Sequence, residues 1–248
     1  MPITALESLP PEILDSYTAD VYANLPFLMR SWKPRNCRFL VATETPGDGA
    51  VCIWRHPLPE MSLVAIFTTG VLDIQMSLFR SLEPGRYLFD VPDGELATTL
   101  AQELRFSEIH SNRVYSRESD SHLNPGEARL LGPDDVPVVE PVHPHLARML
   151  QRGISVFGII EDGELITSCR IVEILDRHWE IANVYTQEAF RHKGYGKSVV
   201  SAATDYIRGH GRVPVYECDQ ENTPSIRLAE SLGFSLKATQ LEAEAHKA

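Results

Sequence analysis

The chain has 248 residues, with 23 Lys and Arg against 34 Asp and Glu, a formal net charge of −11 and a pI near 5.3. Its hydrophobic fraction of 43% and charged fraction of 23% are ordinary for a soluble globular protein, and its length suits one large or two small domains. So acidic a chain argues against nucleic acid or an anionic membrane as main partner, since both select a basic face, while it tolerates a cationic amine. The first residues, MPITALESLPPEILDSY, are acidic and broken by prolines, which does not read as a signal peptide. No apolar run approaches the ~20 residues of a membrane helix. Cys37, Cys52, Cys169 and Cys218 form no close pair, so reduced buried thiols in a cytoplasmic protein are expected, with no zinc or redox motif.

In chain order, residues 1–35 read as a leader and a helix. Ile13, Tyr17, Val21 and Leu25 recur at helical spacing after Pro10-Pro11-Glu12. Arg38–Glu44 and Ala50–Arg55 read as strands joined by a turn at 45–49. Leu63–Thr68 is a third strand, Val71–Leu82 a helix, Arg86–Val91 a strand, Gly94–Leu104 a helix and Phe106–Arg117 a strand. Asp120–Gly126 is polar with a Pro-Gly and reads as a linker. It divides the chain into domains 1–124 and 125–248.

The second half restarts with a short strand, Ala128–Leu131, and a broken helical region from Gly132 to Gly153. Ser155–Ile160 and Glu164–Leu175 form a hairpin around Glu161-Asp162-Gly163. A strand, Trp179–Thr186, leads through a turn to a helix, Ser198–Arg208. Strand Val213–Cys218, helix Pro224–Leu232 and strand Ser235–Glu242 complete it. The first half has nearly the same order, and Leu100–Ser107 (LAQELRFS) lines up with Leu228–Ser235 (LAESLGFS). A duplication explains this; chance similarity between two amphipathic helices entering strands is the alternative.

The chemistry concentrates in residues 179–211. Arg191-His192-Lys193-Gly194-Tyr195-Gly196-Lys197 lies between a strand and a helix start. Such a turn offers unpaired backbone N–H groups and a positive dipole end, which suit a phosphate or pyrophosphate. Gly194 and Gly196 let the backbone approach, and Arg191, Lys193 and Lys197 add charge. A P-loop is excluded because Arg191 stands where its first glycine belongs, and the dinucleotide fingerprint because Val199 replaces its third.

Arg-x-x-Gly-x-Gly between strand and helix resembles the acetyl-CoA motif of the GNAT superfamily of N-acetyltransferases. Residues 213–234, VPVYECDQENTPSIRLAESLGF, resemble its second motif, with Asn222, Ser225 and the closing Gly233-Phe234. Together the blocks cover about the last quarter of the chain, and the closest look is to the glycine N-acyltransferase-like branch. The resemblance implies a mixed α/β GNAT fold, doubled here as two tandem halves of which only the second carries the CoA motif. Between Val64 and Leu82 the only glycine is Gly70, and no basic residue precedes it. The resemblance also implies acetyl-CoA as co-substrate. Its pyrophosphate would lie on Arg191, His192, Lys193, Gly194, Tyr195, Gly196, Lys197 and Ser198. Its pantetheine arm would lie along Val184, Tyr185 and Thr186 where the strand parts from its neighbour, with Asn222 and Ser225 opposite. For Val184 and Thr186 an ordinary paired strand is the alternative, and for Asn222 a helix cap.

Acyl transfer to an amine needs a base, because an amine of pKa ~10.4 is mostly protonated at neutral pH. Glu180 lies eleven positions before Arg191, the spacing of the catalytic glutamate in the histone-acetylating GNAT enzymes. The strand period puts Glu180, Ala182, Val184 and Thr186 on one face. Apolar Trp179 and Ile181 beside it would raise its pKa; a surface glutamate is the alternative, and His178 is a second candidate. Many members protonate the leaving thiolate with a tyrosine seven residues after the asparagine, where this chain has Ala229. Tyr216 and Cys218 are substitutes, with core packing as the competing role for both. His143-Pro144-His145 has no matched carboxylate or cysteine and reads as a loop rather than a metal site, so no metal is expected.

The leading reading is an N-acyltransferase moving an acetyl or short acyl group from acyl-CoA to a small amine or amino acid. A catalytically idle acyl-CoA sensor and a protein or peptide N-acetyltransferase are the alternatives. No nucleic-acid or membrane partner is expected, and a homodimer stays open.

Overall fold

The computed structural model describes residues 1–32, 36–55, 64–92 and 94–247. The elements run β1 (Ile3–Leu6), α1 (Pro11–Asp15), α2 (Leu25–Trp32), β2 (Cys37–Ala42), β3 (Gly49–Arg55), β4 (Val64–Gly70) and α3 (Leu72–Arg80). They continue with β5 (Gly85–Pro92), α4 (Glu95–Glu103), β6 (Arg105–Ser116), β7 (Arg129–Leu130), α5 (Val136–Val139), α6 (Pro144–Gln151) and β8 (Val156–Glu161). The last are β9 (Glu164–Glu173), β10 (His178–Thr186), α7 (Tyr195–Gly209), β11 (Val213–Asp219), α8 (Thr223–Ser231) and β12 (Ser235–Lys247). The chain forms two compact units, Met1–Val114 with Lys237–Ala248, and Tyr115–Leu236.

In unit 1 the strands lie in the order β1-β2-β3-β4-β5-β12-β6. β4 and β5 pair in parallel from Ala65↔Leu88 to Phe67↔Asp90, with α3 as the crossover. Met76, Leu78 and Phe79 of α3 bury against Ile66, Phe89 and Leu100. Each such side chain contributes about 1.5–3 kcal/mol when removed from water. Two expectations change here. The single helix over 13–25 is broken into α1, a 3-10 turn at Thr18–Asp20 and α2. Pro26 belongs in a first helical turn, so a new helix begins around it. Residues 33–35 of that stretch, and Leu63 of the expected third strand, lie outside the described residues.

The last strand also departs from the expected division at 124/125. It does not stop at Glu242 but runs to Lys247, antiparallel to β5 from Gln240↔Pro92 to Lys247↔Gly85. Ala243 and Ala245 point inward while Glu242 and Glu244 alternate with them. Gln240 Nε2 donates to Tyr22 O at 3.2 Å, and Lys247 Nζ to Arg80 O at 2.8 Å. The end of the chain therefore completes the sheet of the first unit.

In unit 2 the order is β11-β10-β9-β8-β7. β9 is buried from Leu165 to Cys169, as befits a strand covered on both faces. α7 covers one face with Val199, Val200, Ala203 and Ile207, a stripe at helical period. Leu146 and Leu150 of α6 pack with Val156 and Leu165 in a second cluster. β10 is antiparallel to β9 and parallel to β11, with α7 as the crossover between β10 and β11.

Candidate active site

β10 and β11 pair only from His178↔Val213 to Ile181↔Tyr216. Beyond that point β10 stays on β9 alone, through Tyr185↔Ser168 and Thr186↔Thr167. The backbone edge of 182–186 is released from β11, and a cleft of about 240 Å³ opens there. Val184, Tyr185, Thr186 and Arg191 line one side, and Tyr216, Asn222, Ser225 and Leu228 the other. The structure thus brings seven of the predicted residues, Tyr216 among them, to one cleft, and adds Pro224 and Leu228.

Asn222 caps α8, its Oδ1 accepting from Ser225 N at 3.2 Å. The cap role and the cleft position coexist. Tyr216 is 2% exposed, yet its hydroxyl reaches Ser225 Oγ at 2.6 Å at the cleft wall. Burial pushes its phenol up to about 12, with the Ser225 hydrogen bond opposing. Ala229 lies on the buried side of α8, so nothing polar stands at the position where the resemblance would put a tyrosine.

After Thr186 the chain passes a 3-10 turn, Glu188–Phe190, and reaches the helix start. α7 begins at Tyr195 rather than Ser198, so Gly196, Lys197 and Ser198 occupy its first turn. Among the described residues the backbone N–H groups of 192–197 make no hydrogen bond within the protein. His192 (φ 64°) and Gly194 (φ 90°) are both in the left-handed region, which turns successive N–H groups toward one side. A Cβ on Gly194 would meet nothing within 4 Å. Arg191, Lys193 and Lys197 are exposed; Arg191 Nε donates to Thr186 O at 3.2 Å and Lys193 sits 5.0 Å from the Phe190 ring centre. Tyr195 instead donates its hydroxyl to Glu161 at 3.1 Å. The donor set and the open approach fit a pyrophosphate.

Glu180 lies one residue before the strands part. It is half-buried, and burial holds its carboxyl above the ordinary range, opposed by Arg170. Among the described residues its carboxylate accepts no hydrogen bond. The expected face is corrected. Asn183 sits at φ 52° in a register shift between Ala182 and Tyr185. This bulge swaps the alternation: Trp179, Ile181 and Val184 pack toward α7, while Glu180 shares a face with Ala182. An asparagine inside a strand was the available signal for it. His178 lies at the strand mouth with its pKa held down by burial and by Arg177, and partly restored by Glu118. Cys218 is buried in the α7 core. His143 caps α6 through Nδ1, and its ring meets Tyr185 edge-on at 5.9 Å. No group of three or more metal-binding side chains occurs among the described residues.

Unit 1 has its own cleft, of about 570 Å³, at the end of its parallel pair. Asp20, Asp48 and Glu95 line it, with Asn24, Thr69 and Gln75; among the described residues no Lys, Arg or His does.

Residues 129–234 match the family model described as "Acetyltransferase (GNAT) family". No curated protein matches the sequence. Solved structures match along nearly the whole chain. A GCN5-related N-acetyltransferase from Sphaerobacter thermophilus is 12% identical with a TM-score of 0.67, covering 98% of this chain and 95% of that one. A tandem GNAT protein from the clavulanic acid biosynthesis pathway is 14% identical with a TM-score of 0.63, covering 99% and 98%. A Drosophila protein is 15% identical with a TM-score of 0.69, covering 99% and 98%. The fold is therefore the mixed α/β GNAT fold, and a tandem member of that class shares it along the full length. None of these matches singles out the glycine N-acyltransferase branch.

Proposed function

We propose that unit 2 is an acyl-CoA-dependent N-acyltransferase that moves an acetyl or short acyl group to a primary amine. One observation carries this reading. A strand pair parts beside a half-buried carboxylate of raised pKa, and the released strand leads into a turn of unpartnered N–H groups and basic side chains. Arg191, Lys193 and Lys197 with the 192–197 backbone hold the pyrophosphate, and the free edge of 184–186 takes the pantetheine arm. Bound acyl-CoA supplies the activated acyl carbon.

Glu180 takes the proton that the ammonium must lose before it attacks, directly or through one water. Its raised pKa brings the carboxylate closer to the amine's and makes it a better base than an exposed glutamate. Among the hydroxyls that line the cleft, the Tyr216 phenol, protonated at neutral pH, is the one assigned to the departing thiolate. It supports an active enzyme over an idle sensor, because the loss of the family tyrosine at Ala229 does not leave the cleft without a phenol.

The test is thiol release from acetyl-CoA with a panel of amines. Glu180→Gln should retain acetyl-CoA affinity and lose about 10²–10⁴-fold in turnover at neutral pH, with the deficit shrinking at high pH where the amine is already free. Full turnover in this variant removes Glu180 from the mechanism; no release with any amine removes the transferase reading.

A further inference from the structure

We infer that Arg170 is the anchor for a carboxylate on the acceptor, so that the acceptor of unit 2 is an amine bearing an acid group, of the amino-acid class. This rests on the transferase reading above. The placement follows from the register. Arg170 lies on β9, its Cα partner across the ladder is Ala182 of β10, and its partner on the other side is Val156 of β8. It therefore shares the face of Glu180, as a diagonal neighbour across the strand pair at a typical Cα spacing of ~7–8 Å. It is next to the point where β10 leaves β11. A base and a cation thus stand side by side on one face where the strands part, beside rather than within the lining of the 240 Å³ cleft.

The bulge fixes how the arginine is presented. Arg170 Nε donates to the side chain of Asn183, which the left-handed backbone at φ 52° aims back across the ladder. Strand positions hold such groups more rigidly than loops. With Nε occupied, the two terminal nitrogens remain. Among the described residues they have no hydrogen-bond or ion-pair partner in the protein. Two parallel N–H groups at the end of a planar guanidinium match a carboxylate. An asparagine in αL within a strand costs free energy that a regular ladder would not, and bulges of this kind re-aim side chains beside active sites. The positive charge also opposes the rise that burial causes in the Glu180 pKa. An acceptor held by its acid end at Arg170 places its amine toward Glu180 and the parted strands.

The experiment compares free α-amino acids with their carboxamides as acceptors, by thiol release from acetyl-CoA on the intact protein. At least one amino acid should be turned over, with kcat/KM about 10- to 100-fold above its amide, the usual worth of a charge-assisted hydrogen bond pair. Arg170→Met should lower kcat/KM for the acid by a similar factor, chiefly through KM, and lower that for the amide by distinctly less; Arg170→Lys should recover part of the loss for the acid. Equal rates with acid and amide would overturn the inference, as would turnover confined to amines without an acid group. Equal losses for both substrates in Arg170→Met would make Arg170 a support for the bulge and overturn it too. Each of these leaves the transferase reading standing. If acetyl-CoA binds and no amine of any kind releases thiol, the transferase reading itself falls, and this inference with it.

Discussion

Each unit has a parallel strand pair joined by a helix, and in each the pair parts after a short ladder: β4 and β5 after Phe67↔Asp90, β10 and β11 after Ile181↔Tyr216. A cleft follows in both. The difference lies in the connection. In unit 1, β4 ends at Gly70 and α3 starts at Leu72; in unit 2, residues 187–194 intervene between β10 and α7. The short turn spends its N–H inside the protein, since Val71 N donates to Asp48 O at 2.6 Å. Asp20, Asp48 and Glu95 then line the space, where a pyrophosphate would meet like charge. The longer turn of unit 2 has room for unpartnered N–H groups and three basic side chains. On the proposed reading, turn length and charge, rather than cleft size, decide which unit takes the nucleotide.

The strongest way to break this contrast is to give unit 2 the character of unit 1. Gly194→Asp places a carboxylate where nothing lies within 4 Å of the new Cβ. Two like charges about 4 Å apart at an effective dielectric near 20 repel by about 4 kcal/mol, so acetyl-CoA affinity should fall about 10³-fold. Gly194→Asn is nearly isosteric, tolerates the left-handed φ of 90° and carries no charge, so it should stay within about tenfold. Equal affinities for the two variants, measured by calorimetry, would mean that charge at this turn is irrelevant.

The two units also differ in their buried carboxyls. Unit 1 holds Asp90 on β5, pushed up to about 7 by burial and then by Glu242 facing it across the ladder, with Arg30 opposing. A raised pKa stabilises the fold fully below the ordinary carboxylate range, and that stability is lost as pH rises through about 7. Asp90→Asn has no charge to bury. It should raise thermal stability at pH 8 by about 1–3 kcal/mol and change it little at pH 4. Glu180→Gln follows the same sign, because its pKa is also raised, so it should gain a smaller increment of stability at neutral pH while losing activity. A gain in both stability and turnover at Glu180 would deny it a chemical role. Parallel thermal melts at the two pH values, with and without acetyl-CoA, give both readings.

The turn around Gly194 was legible in the sequence because its features are local: two glycines, three cations, a strand before and a helix after. So was the order of elements, since period-2 and period-3.6 runs alternate cleanly through 155–232. The face of Glu180 was not legible, because one left-handed residue, Asn183, reverses every later side chain on β10. The destination of β12 was hidden for a different reason. Its partner β5 lies some 150 positions away in sequence, and alternation at Leu241, Ala243 and Ala245 says that a strand forms without saying where. Arg170 escaped notice because nothing near it in the sequence marks it; only the register beside Ala182 brings it to Glu180.

The most direct test of the contrast between the units is a calorimetric titration of the whole chain with acetyl-CoA. One molecule should bind per chain, and none in Gly194→Asp at concentrations that saturate the wild type. Two molecules per chain, or one that survives in Gly194→Asp, would place a CoA site outside the 192–197 turn and contradict that contrast.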